Sequence, residues 1–148
     1  MAEETSFVDR VTSGGLPLLL AGPILRRAEA SQVWIWIATS EEAAVEAEVF
    51  AEDGRSAGRA VAAHTLTAQV GRHLFVHLLC ARPHTAQFGP TFLTYDVRVN
   101  GMGLPRDDER FAYSGFALPS FYLPKQTRTL FFGSCRKPHG GNILSPTN

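Results

Sequence analysis

Strict alternation of apolar and polar residues constrains this chain more than any other feature. In "AAVEAEVFAEDG", Val45, Ala47 and Val49 alternate with Glu46 and Glu48. In "FLTYDVRVNG", Leu93, Tyr95, Val97 and Val99 alternate with Thr94, Asp96 and Arg98. A period of two puts the apolar set on one face of a strand and the polar set on the other, which fits a half-buried sheet and does not fit a helix. Gly54 and the Asn100-Gly101 pair follow as turn signals, because such positions accept a left-handed backbone. Ala and Glu favour helices, so a helical reading of 41–52 competes; the alternation favours strand.

Other segments are apolar on both sides. "VWIWIATS" (33–40) is β-branched and aromatic throughout and suits a central strand. "RHLFVHLLCA" (72–81) reads the same way, and "HTLTAQV" (64–70) precedes it. Six or seven short strands with turns between them predict an all-β fold, an antiparallel sandwich of the immunoglobulin or fibronectin kind. Trp34 or Trp36 is expected in or beside the core, together with Ile24, Val33, Ile35, Ile37, Val49, Leu74, Val76, Tyr95 and Val97. Residues 1–15, ending in Gly14-Gly15, read as a flexible leader, and 16–125 as the β domain.

The totals exclude several functions. The 148 residues carry 14 Lys and Arg against 14 Asp and Glu, so the basic excess of a nucleic-acid binder is missing and no nucleic-acid partner is expected. The run Leu16–Leu25 is interrupted by two prolines and is too short to span a bilayer, and no basic segment precedes it as in a signal peptide. No membrane partner and a cytoplasmic location are therefore expected. Two cysteines, Cys80 and Cys135, do not make a disulfide framework. Cys80, inside "HLLCA", reads as a small core residue.

Chemistry concentrates in "TLFFGSCRKPHGG" (129–141), a short apolar strand running into a turn. Arg136 and Lys137 follow Cys135 and would lower its thiol pKa, and a thiolate is both nucleophile and metal ligand. His139 stands four residues on and is a secondary candidate for a metal. One Cys near one His is weak evidence, and a buried turn thiol is the bland alternative. His73 and His77 would share a strand face with Phe75 and Leu79; partly exposed strand histidines are commoner than a metal pair. The acidic residue nearest to Cys135 is Glu109, and no GxSxG, P-loop, HExxH or GxGxxG motif occurs. No catalytic residue is assigned.

Two stretches in order, "LLLAGPILRRAEASQVWIWIATS" and "FFGSCRKPHGG", resemble the PhoD-like alkaline phosphatases. The first is similar to the opening of that family's N-terminal β-sandwich. The second is similar to the turn where the sandwich passes into an α/β metallophosphoesterase domain. "RHLFVHLLCARP" and "FLTYDVRV" fall where the family has further sandwich strands. The resemblance implies that 126–148 begins a metal domain that hydrolyses phosphate mono- and diesters. It further implies Cys135 as a ferric iron ligand, calcium completing the cluster, and Arg136 and Lys137 near the phosphate. The family's later Gly-Asp segment and its Asn, Asp and His ligands have no counterpart here. The expectation is thus a non-catalytic N-terminal module of a truncated phosphatase, binding neither iron nor calcium stably. Its phosphoester substrate would belong to a full-length relative only. A free-standing β binding module and a small metal protein built on Cys135 and His139 are the alternatives. Residues after about Thr129, lacking neighbours, are expected to be mobile or to pack poorly and promote self-association through the exposed strand.

Overall fold

A computed structural model describes residues 6–126 and 129. The fold is all-β and antiparallel, its strands forming one sheet curled into a half-barrel. The strands are β1 (Leu19–Glu29), β2 (Gln32–Thr39), β3 (Val45–Ala51), β4 (Ser56–Ala60), β5 (Thr65–Gly71), β6 (Leu74–Pro83), β7 (Phe92–Val99) and β8 (Ser120–Tyr122). Segment 45–51 is strand, so its alternation outweighs its helical propensity. The expected strand and turn at 129–135, and the start of a metal domain at 126–148, lie outside the described residues apart from positions 126 and 129.

The spatial order is β1-β2-β6-β4-β3-β7-β8, with β5 also paired to β6. β6 is long enough to serve two neighbours on one edge. Its first part pairs with β5, from Gly71↔Leu74 to Thr65↔Leu79. Its far end pairs with β4 through Gly58↔Pro83 and Arg59↔Arg82. The strands therefore fall into two groups, β1-β2-β6-β5 and β4-β3-β7-β8, joined by that two-residue contact. The join requires Gly58: a Cβ there would lie 2.5 Å from both the Arg82 carbonyl oxygen and the Phe88 ring. Only a residue without a side chain lets the two backbones approach so closely.

Turn chemistry matches the sequence. Gly54 (φ 79°) closes the β3–β4 hairpin, and Asn100 (φ 51°) with Gly101 (φ 82°) turns the chain after β7. The Val99 and Met102 backbones bond to each other across this second turn.

The core lies inside the curl. Val33, Ile35 and Ile37 of β2, Val45, Ala47 and Val49 of β3, and Val97 and Val99 of β7 are buried there, with Leu79 and Ala81 of β6. Tyr95 joins them. Three expected core assignments, Ile24, Leu74 and Val76, are corrected, and the tryptophans lie beside the core rather than in it. Trp34 and Trp36 are half-buried on the outward side of β2, because Val33, Ile35 and Ile37 take the inward side. Leu74 and Val76 are likewise half-buried, since β6 turns His77 and Leu79 inward. Ile24, paired with outward Trp36, is 44% exposed. Cys80 is buried, on the outward row beside Trp34 and outside the interior cluster. Within the segment 1–15, Phe7 is fully buried in the same core. Arg110 also grips Asp9 at 2.8 Å and so ties the N-terminal segment to the loop before β8.

Candidate functional site

The candidates Cys135, Arg136, Lys137 and His139 lie outside the described residues. Two buried polar groups inside them are His77 and Asp96.

His77 sits mid-β6, opposite Ile37 of β2 and Thr67 of β5. Its Nε2 is 2.9 Å from Thr39 Oγ1, and its Nδ1 is 2.9 Å from Thr67 Oγ1. The tautomer follows from the third contact. Thr39 donates its only hydroxyl proton to the Glu41 carbonyl at 2.7 Å. It must then accept from His77, so Nε2 carries the proton and Nδ1 accepts from Thr67. Both ring nitrogens are satisfied by neutral groups, and burial lowers the His77 pKa below its usual 6.5. His73 does not share the strand face with His77, because it is exposed in the β5–β6 turn, and His77 is fully buried rather than partly exposed. Among the described residues, no three His, Cys, Asp or Glu side chains could hold a metal together.

This depressed pKa carries a pH dependence. The unfolded chain takes up the His77 proton near 6.5, while the folded chain resists it. Stability from this group is therefore complete above about pH 6.5 and is lost as pH falls through the folded value. Urea midpoints from pH 8 to 5 should fall for the natural chain, and His77→Gln should flatten that slope. An identical slope in both would remove His77 as the cause.

Beyond Thr39, the chain opens into a cleft of about 350 Å³ at the loop end of the molecule. Ser40, Glu41 and Glu42 form one wall, Arg72, His73 and Phe75 another, and Thr12 to Gly14 a third. The Ser40 hydroxyl is buried here without a hydrogen-bond partner among the described residues. A second cleft, about 400 Å³, lies at the opposite end between Ala28–Ala30, Phe88 and Leu123–Lys125.

Asp96 lies on the side of β7 that the alternation marks as wet, yet it is buried. The loop after β7 folds over it. Leu104 donates its backbone N–H to Asp96 Oδ1 at 2.9 Å, and Arg106 and Arg98 approach Oδ2 at 3.8 and 3.9 Å. A Cβ on Gly103 would sit 2.7 Å from Oδ2, so glycine makes the close cover feasible. Burial raises the Asp96 pKa; the Leu104 hydrogen bond and the two guanidinium groups oppose it. Sequence reasoning singled out His77 but as a partly exposed strand histidine, and it read Asp96 as wet; both are buried. Thr67, the fourth residue of "HTLTAQV", and Gly103, two residues after "NG", were the available signals, but neither says which side of a strand a loop will cover.

As arranged, His77 pins β5 to β6 and Asp96 pins the post-β7 loop. The hydrogen bonds of His77 go to two threonine hydroxyls, and neither His77 nor Asp96 meets a thiol or a second carboxylate in these contacts. No protein family, curated protein or solved structure matches this chain.

Proposed function

We propose that this chain is the N-terminal, non-catalytic β module of a PhoD-like phosphatase, with an immunoglobulin- or fibronectin-like strand arrangement. The observation that carries the reading is the pairing order. The groups β1-β2-β6-β5 and β4-β3-β7-β8, joined here in one sheet, are compatible with the division of strands in such sandwiches and support the reading. The stretches behind the family resemblance supply β1, β2, β6 and β7. In this reading Cys135 contributes one thiolate to an iron and calcium cluster, and Arg136 and Lys137 neutralise phosphate charge. The cations would stabilise the charge that develops during ester hydrolysis. One thiolate cannot hold such a cluster, because calcium needs several oxygen ligands. Residues 136–148 include no Asp or Glu.

Purified chain supplied with iron and calcium should therefore hydrolyse a chromogenic phosphate diester no faster than buffer. Metal-dependent turnover that disappears in Cys135→Ser would overturn this assignment. The coding sequence beyond codon 148 is the second arm. A Gly-Asp segment following a further strand supports the phosphatase reading, and a stretch without one removes it.

A free-standing binding module is the second reading. The Ser40 hydroxyl at the loop-end cleft, without a hydrogen-bond partner among the described residues, favours it. A small polar ligand that binds saturably to the natural chain and not to Ser40→Ala would decide for it.

A further inference from the structure

Among the described residues, every strand except β5 puts a side chain into the core or against it. Six of the seven β5 residues are exposed and none is buried. Its apolar side chains Leu66 and Val70 are 66% and 65% exposed, and its inward residues are Thr65, Thr67 and Gln69. A half-buried strand normally points its apolar side at the core. Burial of apolar surface therefore contributes little to holding β5 in place.

What does hold it is its ladder to β6, from Thr65↔Leu79 to Gly71↔Leu74, which is irregular between Gln69 and Gly71. Among the described residues, β5 pairs with no other strand. Its flanks are equally light. Arg72 and His73 in the turn to β6 are exposed, and the single helical turn Ala62–His64 before it contains no buried residue. A segment with few buried apolar contacts opens at a lower free energy than the core beside it. One side chain ties β5 inward. Thr67 donates to Nδ1 of His77, and the His77 ring is completely buried beside the strand.

We propose that β5 is a strap that leaves β6 while the rest of the sheet stays folded, and that a proton on His77 favours the open form. In the closed form Nδ1 accepts from Thr67 and Nε2–H donates to Thr39, so the ring is neutral and fully used. A second ring proton has to sit on Nδ1, where the Thr67 hydroxyl proton already points. Thr67 must then turn away, and a charge must be held out of reach of water. Opening removes Thr67 and lets water reach Nδ1, so the open form takes the proton more readily.

Among the described residues, no charged side chain bonds to the ring. Ile37 and Thr39 meet it from β2, and Thr67 from β5. Glu41 reaches this group only through its backbone carbonyl, and the Glu41, Glu42, Arg72 and His73 side chains line the loop-end cleft beyond Thr39. Burial accounts for the lowered His77 pKa. Once open, the strap bares the β6 edge from Leu74 to Leu79 together with the ring. A ring that regains its usual 6.5 on opening favours the open form by up to about thirtyfold more at pH 5 than at pH 7.5. The inference does not depend on the phosphatase reading.

Native-state amide exchange of the full chain, corrected for intrinsic rates and followed from about pH 7.5 to about pH 5, tests it. The β5 amides, and the β6 amides bonded to them, should exchange faster than those of β3 and β7 at every pH. The difference should widen by up to about thirtyfold on the acid side. His77→Gln should abolish the widening, whereas His64→Gln and His73→Gln, at the two ends of β5, should leave it. Thr67→Val keeps the ring and tests the strap whether or not His77→Gln folds. It should quicken β5 exchange about two- to tenfold at pH 7.5 and leave β3 and β7 unchanged. Equal protection of β5 and β3 at each pH overturns the inference, because β5 then opens only when the whole sheet unfolds. A β5 that opens with no dependence on pH, or a widening that survives His77→Gln, also overturns it.

Discussion

Ile35→Ala is expected to lower folding stability by about 2–5 kcal/mol, the cost of a cavity in a packed interior. Ile35 is fully buried in the middle of β2, opposite Leu25 on β1 and Leu79 on β6. The strands on both sides are fixed by their ladders, so the site cannot collapse to fill the void. Urea unfolding should show a lower midpoint with an unchanged slope, since the surface exposed on unfolding stays the same. Ile24→Ala provides the contrast. Ile24 points outward and is 44% exposed, so its loss should change stability by no more than about 0.5 kcal/mol. Equal losses at both positions would mean that the inward and outward sides of β1 and β2 have been assigned wrongly.

Asp96→Ala is expected to cost about 1.5–3 kcal/mol, the range for a hydrogen bond to a charged group. The substitution strips the Leu104 N–H of its acceptor in a buried place and leaves Arg98 and Arg106 facing each other without their shared carboxylate. Amide exchange at Leu104 should quicken more than at Val97 in the adjoining strand. Asp96→Asn keeps an acceptor and should lose less. The pH dependence has the opposite sign to that of His77. The folded Asp96 pKa is raised from 3.8, so its contribution is complete below the unfolded value and is lost as pH rises through the folded one. Asp96→Asn should remove that acid-side stabilisation. An unchanged acid limb, with unchanged Leu104 exchange in Asp96→Ala, would show that the loop is held by other contacts.

Particular strands show how far the sequence could be read. β3 and β7 were legible residue by residue, because one side of each is apolar and the other polar. β2 was legible as a central strand because both of its sides are apolar, and it lies between β1 and β6. The same property hid its orientation. With apolar residues on both sides, nothing local distinguishes Trp36 from Ile35 or Val76 from His77. β5 was misleading in a more specific way, since its apolar residues face out. Asp96 was read as wet because its neighbours on that side, Thr94 and Arg98, are polar. The loop that covers it comes from residues 103–106, beyond the Asn100-Gly101 turn. The expected site residues Cys135, Arg136, Lys137 and His139 lie outside the described residues, so their reading rests on the resemblance alone.

By itself the sequence determined the all-β class, the approximate spans of β2, β3, β5, β6 and β7, and the Gly54 and Asn100-Gly101 turns, while the short strands β4 and β8 carried no readable pattern. The legible features depend on side-chain period and on backbone preferences acting over a few residues. Only the tertiary structure decided that β6 joins two strand groups at Gly58. It also decided that His77 belongs inside and Leu66 outside, and that a loop closes over Asp96. Each of these depends on which distant segments meet. Meeting is governed by the burial that the whole sheet can achieve against the entropy of closing its loops, and no local pattern encodes that balance.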